Sequence, residues 1–484
     1  MEGKIIGREE ECRRLTQCMQ EKQAQLILVY GRRRVGKTYL IEQFFRLRFA
    51  FRFTGMYKEP KSVQLKYFTE ELRSHITVSK TPKDWMEAFR LLYQYLQTLP
   101  ENEKQVVFFD ELPWMDTHKS GFLTAFEWFW NQWGHAMDQL VFIACGSATS
   151  WMVKHLDKNR GGLFRRETAK LYLRPFTLQE TERYLASRHM EWSRYDICLC
   201  YMILGGIPDY LKRLDPGQGL NENIDRLFFG SGAELGNEFS ELYRTLFTNS
   251  AQYITVVETL FEKKSGITRA EILARTGLPD NGVLSEILTN LKASGFIQTY
   301  PFFQHRKKET VYLLSDYYSA FYLQFIKQDS GRDSQRWSKA YGSGRVFNWA
   351  GHAFEQVCRD HLPEIKKKLG ISGLSTEDYT WFYRPSAKQE ETGAESGAQI
   401  DLLIERGDRT IHLCEEKFVS SEFVIDREYE MNLRNKRETF RQVTGTKKTL
   451  NLTMITTYGI KNGKYANLIS GQVVLDDLFE KCEH

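Results

Sequence analysis

The stretch from Leu26 to Leu40 constrains the fold of this chain more than any other. It begins with Leu-Ile-Leu-Val-Tyr, an apolar run that predicts a buried strand. The octet Gly31–Thr38 follows and fits the pattern G-x-x-x-x-G-K-[ST], and the residues after it have helical spacing. A strand, a glycine loop and a helix in this order are the context that the octet requires. The sequence therefore predicts an α/β domain built around this loop.

The octet has the chemistry of a polyphosphate site. Two glycines let the backbone curl so that N–H groups point inward, and the following helix adds its positive N-terminal end. We expect Lys37 to reach the β- and γ-phosphates of a nucleoside triphosphate and the Thr38 hydroxyl to ligate Mg²⁺. The residues expected to contact the nucleotide here are Gly31, Arg34, Val35, Gly36, Lys37, Thr38 and Tyr39.

Length and composition restrict the class of protein. A chain of 484 residues is too long for a single core, and about three domains are expected. There is no apolar run of about 18 residues and no signal-like N-terminus, so we expect neither a membrane span nor secretion, and a cytoplasmic location. The eight cysteines include no C-x-x-C pair, which predicts neither a zinc site nor a disulfide framework. The net charge of +5 is compatible with nucleic-acid contact but does not argue for it.

A second predicted strand carries two acids at its end. The apolar run Val106–Phe109 is followed directly by Asp110 and Glu111, at the carboxyl end of the strand, where ligands bind in α/β folds. We expect Asp110 to hold Mg²⁺ through water and Glu111 to orient or deprotonate the attacking water. Such a pair is common by chance, but together with the octet it predicts hydrolysis of ATP.

Two further boxes resemble known ATPases. The opening Ile6-Gly-Arg-Glu-Glu-Glu is similar to the box that precedes the phosphate loop in AAA+ ATPases and in signal-transduction ATPases with numerous domains, which implies that Ile6, Gly7 and Arg8 lie beside the adenine. The phrase Gly205-Gly-Ile-Pro resembles the G-G-[IV]-P signature of archaeal and bacterial ATPases. That resemblance implies that Pro208 packs near the adenine ring, although a proline that simply begins a helix is an equal reading.

The same resemblance implies a sensor and an arginine finger. A buried strand starting at Leu140 ends in small polar residues, of which Ser147 is the candidate sensor of the γ-phosphate or the water, and Thr149 or Ser150 could serve equally. In the charged stretch that follows, Arg165 or Arg166 is the candidate finger offered to a neighbouring subunit, so self-association into an oligomer is expected. A solvated charged surface is the alternative, and the sequence separates neither the two arginines nor action in cis from action in trans.

Residues 267–314 look like a winged helix, with a turn at Gly277 and wing strands at 296–303 and 309–314 around a basic tip, His305-Arg-Lys-Lys. The second helix carries Lys292 as its one basic residue, and base reading usually needs more. We therefore expect a structural or assembly role, with backbone contact by the wing as the minor option. The polar stretch 329–345 is predicted to be a linker.

The last part of the chain carries a second set of acids. An amphipathic helix holds Glu355, Asp401 begins one predicted strand, and Glu415-x-Lys417 ends the next, after a turn at 405–409. Two carboxylates can hold Mg²⁺ beside a scissile phosphate while a lysine helps to activate water. The spacing is similar to the PD-(D/E)XK nucleases, which implies metal ligation by Glu355, Asp401 and Glu415 and catalysis by Asp401, Glu415 and Lys417. Gln399 and the lack of a Pro-Asp dipeptide depart from that pattern, and a solvated hairpin could carry the same residues.

The expected fold class is α/β, with four domains: a P-loop ATPase core at 1–178, a helical lid at 179–235, a winged helix at 236–328 and a nuclease-like domain at 335–484. The expected cofactors are ATP and Mg²⁺. The expected function is an ATP-hydrolysing switch or motor. The alternatives are an ATP-gated, Mg²⁺-dependent DNA endonuclease and a nucleotide-dependent assembly scaffold.

Overall fold

The computed structural model of the protein describes residues 5–157, 166–230, 232–303, 310–327, 333–383 and 397–481. Its contacts divide the chain into two units. The first unit comprises Met1–Pro175, Ile207–Asp209 and Thr289–Gly295, and the second comprises Phe176–Gly206, Tyr210–Leu288 and Phe296–His484. Most residues of the expected lid, winged helix and terminal domain thus fall in one unit.

The first unit contains a parallel sheet of five strands in the order β2-β3-β4-β1-β5. Because the strands are parallel, their carboxyl ends meet at one edge, and the predicted ATP-site residues follow β1, β3 and β4. This confirms the α/β fold class, with a parallel central sheet. The strands are β1 (Gln25–Gly31), β2 (Phe51–Thr54), β3 (Gln105–Asp110), β4 (Leu140–Gly146) and β5 (Ala169–Leu173).

Helices cover this sheet and supply an aromatic core. The helix Trp85–Leu96 buries an apolar stripe, with Trp85 and Phe89 packed among the phenylalanines of β2 and β3. The helices are α1 (Glu9–Gln20), α2 (Lys37–Phe44), α3 (Lys61–Arg73), α4 (Trp85–Leu96), α5 (Phe122–Gln132) and α6 (Thr149–Met152). A π-helical turn at Val153–Asp157 follows α6.

The middle of the chain is helical, with a small antiparallel sheet in the order β6-β8-β7. The predicted turn at Gly277 is confirmed, since this glycine ends a helix with φ of 66°. The basic tip 305–308 lies outside the described residues. The elements are α7 (Leu178–Ser187), α8 (Arg194–Leu204), α9 (Pro208–Leu211), α10 (Leu220–Phe228), α11 (Glu238–Leu246), α12 (Ser250–Glu262), β6 (Ile267–Thr268), α13 (Arg269–Thr276), α14 (Gly282–Ala293), β7 (Ile297–Pro301), β8 (Thr310–Leu314) and α15 (Tyr317–Phe321).

The predicted linker at 329–345 is wrong in part, because Arg336–Ala340 forms a helix, α16. Trp337 of this helix is fully buried, and its backbone N–H donates to Asp225 of α10 at 2.8 Å. Asp225 also accepts from the backbone N–H and the hydroxyl of Ser338. A carboxylate from another helix thus satisfies N–H groups at the start of α16. Because this acid is distant in sequence, the residues next to α16 give no sign of it.

The C-terminal part forms a mixed sheet in the order β13-β12-β11-β10-β9. Strands β9, β10 and β11 are antiparallel neighbours, whereas β12 and β13 add in parallel. Its core includes Phe302 and Phe303, which follow β7, packed with Trp381 and Phe440. The elements are α17 (Gly344–Asp360), α18 (Leu362–Lys368), β9 (Thr376–Tyr383), β10 (Ala398–Arg406), β11 (Thr410–Lys417), α19 (Arg427–Thr444), β12 (Thr449–Thr456) and β13 (Gly471–Val474).

One detail of this sheet corrects the sequence analysis. Asp401 does not begin its strand, because β10 starts at Ala398. The pairing of β10 with β9 shifts register between Ile400 and Leu403, which is the signature of a bulge around Asp401. None of the helices among the described residues has the length and apolar character needed to cross a bilayer.

Candidate functional site

The glycine loop after β1 has the backbone geometry that its sequence predicts. Gly31 has φ of 148°, and a Cβ at this position would lie 2.3 Å from the carbonyl oxygen of Leu173, so a larger residue would force the loop off β5. Gly36 has φ of 87° and precedes α2, whose first residue is Lys37. Arg34 also has positive φ, at 72°, which is uncommon for a residue with a side chain. The curled loop and the start of α2 together form an anion cradle.

Lys37 is buried inside this cradle. Its ammonium donates to the carbonyl oxygens of Gly31 at 3.1 Å and Arg32 at 2.9 Å. Burial lowers its pKa, although the nearby Cys145, Glu111 and Asp110 act in the opposite direction. Among the described residues, the direct partners of this buried ammonium are neutral carbonyls, so the charged oxygens of a triphosphate would be favoured partners.

Thr38 and Asp110 meet at the edge of the sheet. The Thr38 hydroxyl donates to Asp110 Oδ2 at 2.8 Å, and the backbone N–H of Glu111 donates to Oδ1 at 3.0 Å. A hydroxyl and a carboxylate side by side are hard oxygen ligands of the kind that Mg²⁺ prefers. The residues present therefore fit the predicted magnesium role of Thr38 and Asp110.

Glu111 is held by Ser147. Its carboxylate accepts from the backbone N–H of Ser147 at 3.0 Å and from the Ser147 hydroxyl. Glu111 has φ of 45°, a strained value that turns its side chain away from the line of β3. Of the three sensor candidates, Ser147 contacts the predicted base, whereas Thr149 starts α6 and donates from its backbone to Ser147.

Arg8 stabilises the glycine loop through hydrogen bonds from its guanidinium to backbone carbonyls. Its Nη2 donates to the carbonyl oxygens of Val35, at 3.2 Å, and Arg174, at 2.7 Å, and the side chain is buried. Gly7 and Arg8 both have positive φ, 66° and 65°, which lets the chain turn into α1. Ile6 before them is half-buried. The Gly-Arg box thus contacts the loop through guanidinium hydrogen bonds to backbone.

The G-G-I-P phrase also contacts the loop, through a residue that the sequence analysis missed. Asp209 forms an ion pair with Arg34 at 3.2 Å, and its backbone N–H donates to the Arg34 carbonyl at 3.4 Å. Pro208 is the first residue of α9. The sequence signal for this ion pair was an acid directly after the proline together with an arginine in the phosphate loop.

The remaining predicted residues of this part are less engaged. Tyr39 is on α2 and is 47% exposed, while Val35 is buried. Arg166 is exposed a few residues before β5. Arg165, the other candidate finger, lies outside the described residues.

The C-terminal acids form two groups, one on each side of β11. Glu415 pairs with Lys417 at 3.2 Å and Lys436 at 2.7 Å, and accepts from the Tyr429 hydroxyl at 3.0 Å. Although burial acts to raise it, the two lysines hold the pKa of Glu415 below its ordinary value. Glu415 and Lys417 are therefore together, as predicted.

The second group contains Glu355, Asp401, Arg359 and Glu416. Arg359 Nη2 lies 3.9 Å from Asp401 Oδ1, and His352 contacts Glu355 at 3.1 Å. Burial, and then the charges of Asp401 and Glu355, raise the pKa of Glu416 well above its usual value. Arg359 and Glu416 are not among the predicted site residues. The sequence signals for them were an arginine one helical turn after Glu355 and the second acid of Glu-Glu-Lys.

Metal binding by these acids is not preformed in the described part of the chain. There, no three His, Cys, Asp or Glu side chains are gathered closely enough to hold an ion. The contacts group Asp401 with Glu416 and Glu415 with the lysines. This arrangement does not fit the Mg²⁺ role expected of Glu355, Asp401 and Glu415.

Comparisons with known proteins agree with the geometry of the loop. Residues 5–214 match a family described as an ATPase domain predominantly from Archaea. Uncharacterized protein MJECL04 of Methanocaldococcus jannaschii is 22% identical over 406 residues, covering 82% of this chain and 84% of that protein.

Among solved structures, the chain is similar to the Walker-type ATPase PABY2304 of Pyrococcus abyssi, at 20% identity and a TM-score of 0.45, covering 66% of this chain and 96% of that chain. It is also similar to Cdc6p of Pyrobaculum aerophilum, at 13% identity and a TM-score of 0.34, covering 74% and 96%. The family match over residues 5–214 and the strand, loop and helix that hold Lys37 identify this part of the chain as an ATPase domain of the P-loop type.

Proposed function

We propose that this P-loop ATPase works as a switch, in which Lys37, Thr38, Asp110 and Glu111 hydrolyse ATP and the nucleotide state is passed to the rest of the chain at Pro208 and Asp209. The observation that carries the proposal is the cluster at the carboxyl edge of the sheet, where the Lys37 cradle, the Thr38–Asp110 hydrogen bond and Glu111 converge. Asp209 contacts Arg34 of the loop, and the residues flanking 207–209 belong to the second unit.

The residues have distinct roles in this proposal. Lys37 exchanges the carbonyls of Gly31 and Arg32 for phosphate oxygens, and Thr38 with Asp110 would hold Mg²⁺. The ion, when bound, neutralises charge on the β- and γ-phosphates. Glu111 orients the attacking water and accepts its proton on a lone pair that the two hydrogen bonds from Ser147 leave free. Ser147 therefore holds the carboxylate of the base in place for this role.

The test of the ATPase assignment is steady-state ATP turnover of Lys37→Ala. We expect turnover to be abolished, because no other ammonium is buried in the loop among the described residues. Lys66→Ala is the matched control, since this lysine is exposed on α3. Unchanged turnover in Lys37→Ala would overturn the assignment.

A second candidate function, nucleic-acid cleavage, is favoured by the order of elements at the C-terminus. In the order α17, α18, β9, β10, β11, α19, β12, the expected acids lie on α17, β10 and β11, which supports the proposal. The Glu415–Lys417 pair at the end of β11 supports it. Cleavage requires regrouping, because Lys436 and Tyr429 occupy Glu415 and Asp401 lies with Glu416.

The discriminating experiment is incubation of plasmid with Mg²⁺ and the protein or its variants Glu415→Ala and Lys417→Ala. The nuclease proposal predicts nicking by the unaltered chain and loss of nicking in both variants, with ATP turnover retained. Nicking that survives both substitutions excludes this pair, and an absence of nicking with ATP turnover intact would favour the switch alone.

The proposal includes a third possibility. In it, the chain is a nucleotide-dependent assembly scaffold that associates with further copies of itself. The exposed position of Arg166 before β5 supports a role as a finger for a neighbouring subunit. Size measurement with and without a slowly hydrolysed ATP analogue tests it, and a monomer under both conditions would contradict it.

A further inference from the structure

A cavity of about 400 Å³ lies inside the second unit. The residues that line it are distant in sequence from the glycine loop. Its walls come from the end of α12 with the residues just after it, from β8 and α15, and from α17. The volume falls within the range of about 300–1,000 Å³ that is usual for small-molecule sites. Neither the proposed ATP site nor the Glu415 pair lines it, whereas Glu355 and Arg359 of the second acidic group do.

The described lining is strongly cationic. It contains Lys263, Lys264, Arg345 and Arg359 against a single carboxylate, Glu355. Lys263 is neutralised from outside the cavity, because its ammonium pairs with Glu271 at 2.6 Å. Lys264, Arg345 and Arg359 remain, with Glu355 as the one carboxylate among the described residues of the lining, while Asp401 lies near Arg359 from outside it.

Two of these cations are poorly compensated. Arg359 is only 7% exposed, its Nε has no hydrogen-bond partner among the described residues, and its nearest carboxylate oxygen, on Asp401, is 3.9 Å away. The Lys264 ammonium lies 3.2 Å from the centre of the Phe261 ring, and burial lowers its pKa to about 8 although Glu355 acts in the opposite direction. A buried N–H without a partner is unfavourable, so an anionic ligand would be stabilised here.

Arg345 completes the cationic side. It donates to the carbonyl of Gln324 through Nη2, and its guanidinium lies over the Phe325 ring at 5.1 Å. Both contacts fix the side chain without neutralising its charge. Arg345 therefore offers further donors from a defined position.

The other walls are apolar and aromatic. Phe261 and Trp349 line the cavity together with Leu260 and Leu313. Flat apolar walls beside clustered cations match a ligand with an aromatic ring and a phosphate, because the ring stacks on aromatic side chains while the cations bind the phosphate. A simple phosphate ion would leave the apolar walls unused.

We propose that this cavity binds a nucleotide phosphate through Lys264, Arg345 and Arg359, with the base against Phe261 and Trp349. The nucleotide is either free or the end of a nucleic-acid strand, since both present the same chemistry. The inference goes beyond ATP hydrolysis and does not depend on it, nor on cleavage by the Glu415 pair.

The test measures binding of a fluorescent single-stranded oligothymidylate of twelve nucleotides by anisotropy, with full-length protein in the absence of ATP and with EDTA to prevent cleavage. The variant is Lys264→Gln with Arg345→Gln, and the controls are Lys447→Gln and Arg441→Gln, which alter exposed cations of the same unit. Loss of two phosphate donors is expected to weaken binding at least about tenfold in the variant only. Thermal unfolding confirms that each variant is folded.

Competition by thymidine monophosphate separates the two sources. Displacement of the strand by the mononucleotide assigns a free nucleotide as sufficient, and persistence of the strand assigns a strand end. Binding that is equal in the variant and the controls, or no binding of either probe, overturns the proposal. ATP turnover of the same proteins is expected to be unchanged, and Lys37→Ala is expected to lose turnover while retaining oligonucleotide binding, so failure of one proposal is distinguishable from failure of the other.

Discussion

Ser147 and Glu111 form the most informative residue pair in the ATP site. The serine holds both carboxylate oxygens of the proposed base, through its backbone N–H and its hydroxyl. A base that must orient water needs a fixed carboxylate, and the hydroxyl contributes to fixing it. The pair therefore connects the end of β4 to the chemistry at the end of β3.

Replacement of Ser147 tests this connection. We expect Ser147→Ala to lower kcat for ATP by about 10- to 100-fold with little change in KM, because the base loses an orienting donor while the phosphate loop is intact. Ser147→Thr keeps the hydroxyl and is the control. An equal loss in both variants, or a rise in KM alone, would argue for a packing role instead.

Lys264 links stability to pH. Its pKa is lowered to about 8 by burial, so its charge destabilises the folded state below that pH. The destabilisation disappears as pH rises from about 8 towards the unfolded pKa of about 10.4. We expect Lys264→Met to raise the free energy of unfolding by about 1 kcal/mol at pH 7, allowing for solvent screening, and by less at pH 9.5.

Denaturant unfolding of both proteins at the two pH values provides the measurement. The same substitution is expected to weaken nucleotide binding in the cavity, so stability and binding should change in opposite directions. A destabilised Lys264→Met, or a gain that grows with pH, would contradict the assignment of the charge as buried.

At the residue scale, local motifs predicted most residues of the ATP site but only some residues of the C-terminal acidic groups. Lys37, Thr38, Asp110 and Glu111 were predictable because a strand end and a helix start fix their directions. Asp209 and Glu416 were missed although the acids themselves are visible in the sequence, because their partners lie far away in sequence and the pairing depends on packing. The bulge at Asp401 also follows from pairing with β9, which no local pattern reveals.

At the scale of elements, α16 shows how a short helix is stabilised from outside. Five residues cannot be stable alone, and α16 depends on Asp225 of α10 and on burial of Trp337. The polar, glycine-rich sequence around it predicted a linker, because the acid that satisfies its N–H groups lies more than one hundred residues earlier.

Removal of that acid is expected to destabilise the second unit. Asp225→Ala leaves the N–H groups of Trp337 and Ser338 without their acceptor, at a cost of about 2–3 kcal/mol. Chemical denaturation followed by tryptophan fluorescence measures the effect. Glu222→Ala on the exposed side of α10 is the control, and equal stability of the two variants would refute the role of Asp225.

At the scale of the whole molecule, the second unit has a core that joins elements which the sequence assigns to separate domains. Phe302 and Phe303, which follow a strand of the predicted winged helix, belong to the same core as Trp381 and Phe440 of the terminal sheet. Periodicity predicted each element, but it does not report which elements share a core. The four expected domains therefore stay a prediction, whereas the contacts divide the chain into two units.

The central claim is that Glu111 activates water in a site that Lys37 and Asp110 build for ATP. The most direct measurement compares ATP binding and ATP turnover in Glu111→Gln, using equilibrium binding of a fluorescent ATP analogue and single-turnover hydrolysis. We expect binding within about threefold of the unaltered protein and hydrolysis reduced by at least about 100-fold, because the amide keeps the shape but accepts no proton. Hydrolysis at the original rate with ATP bound would contradict the account.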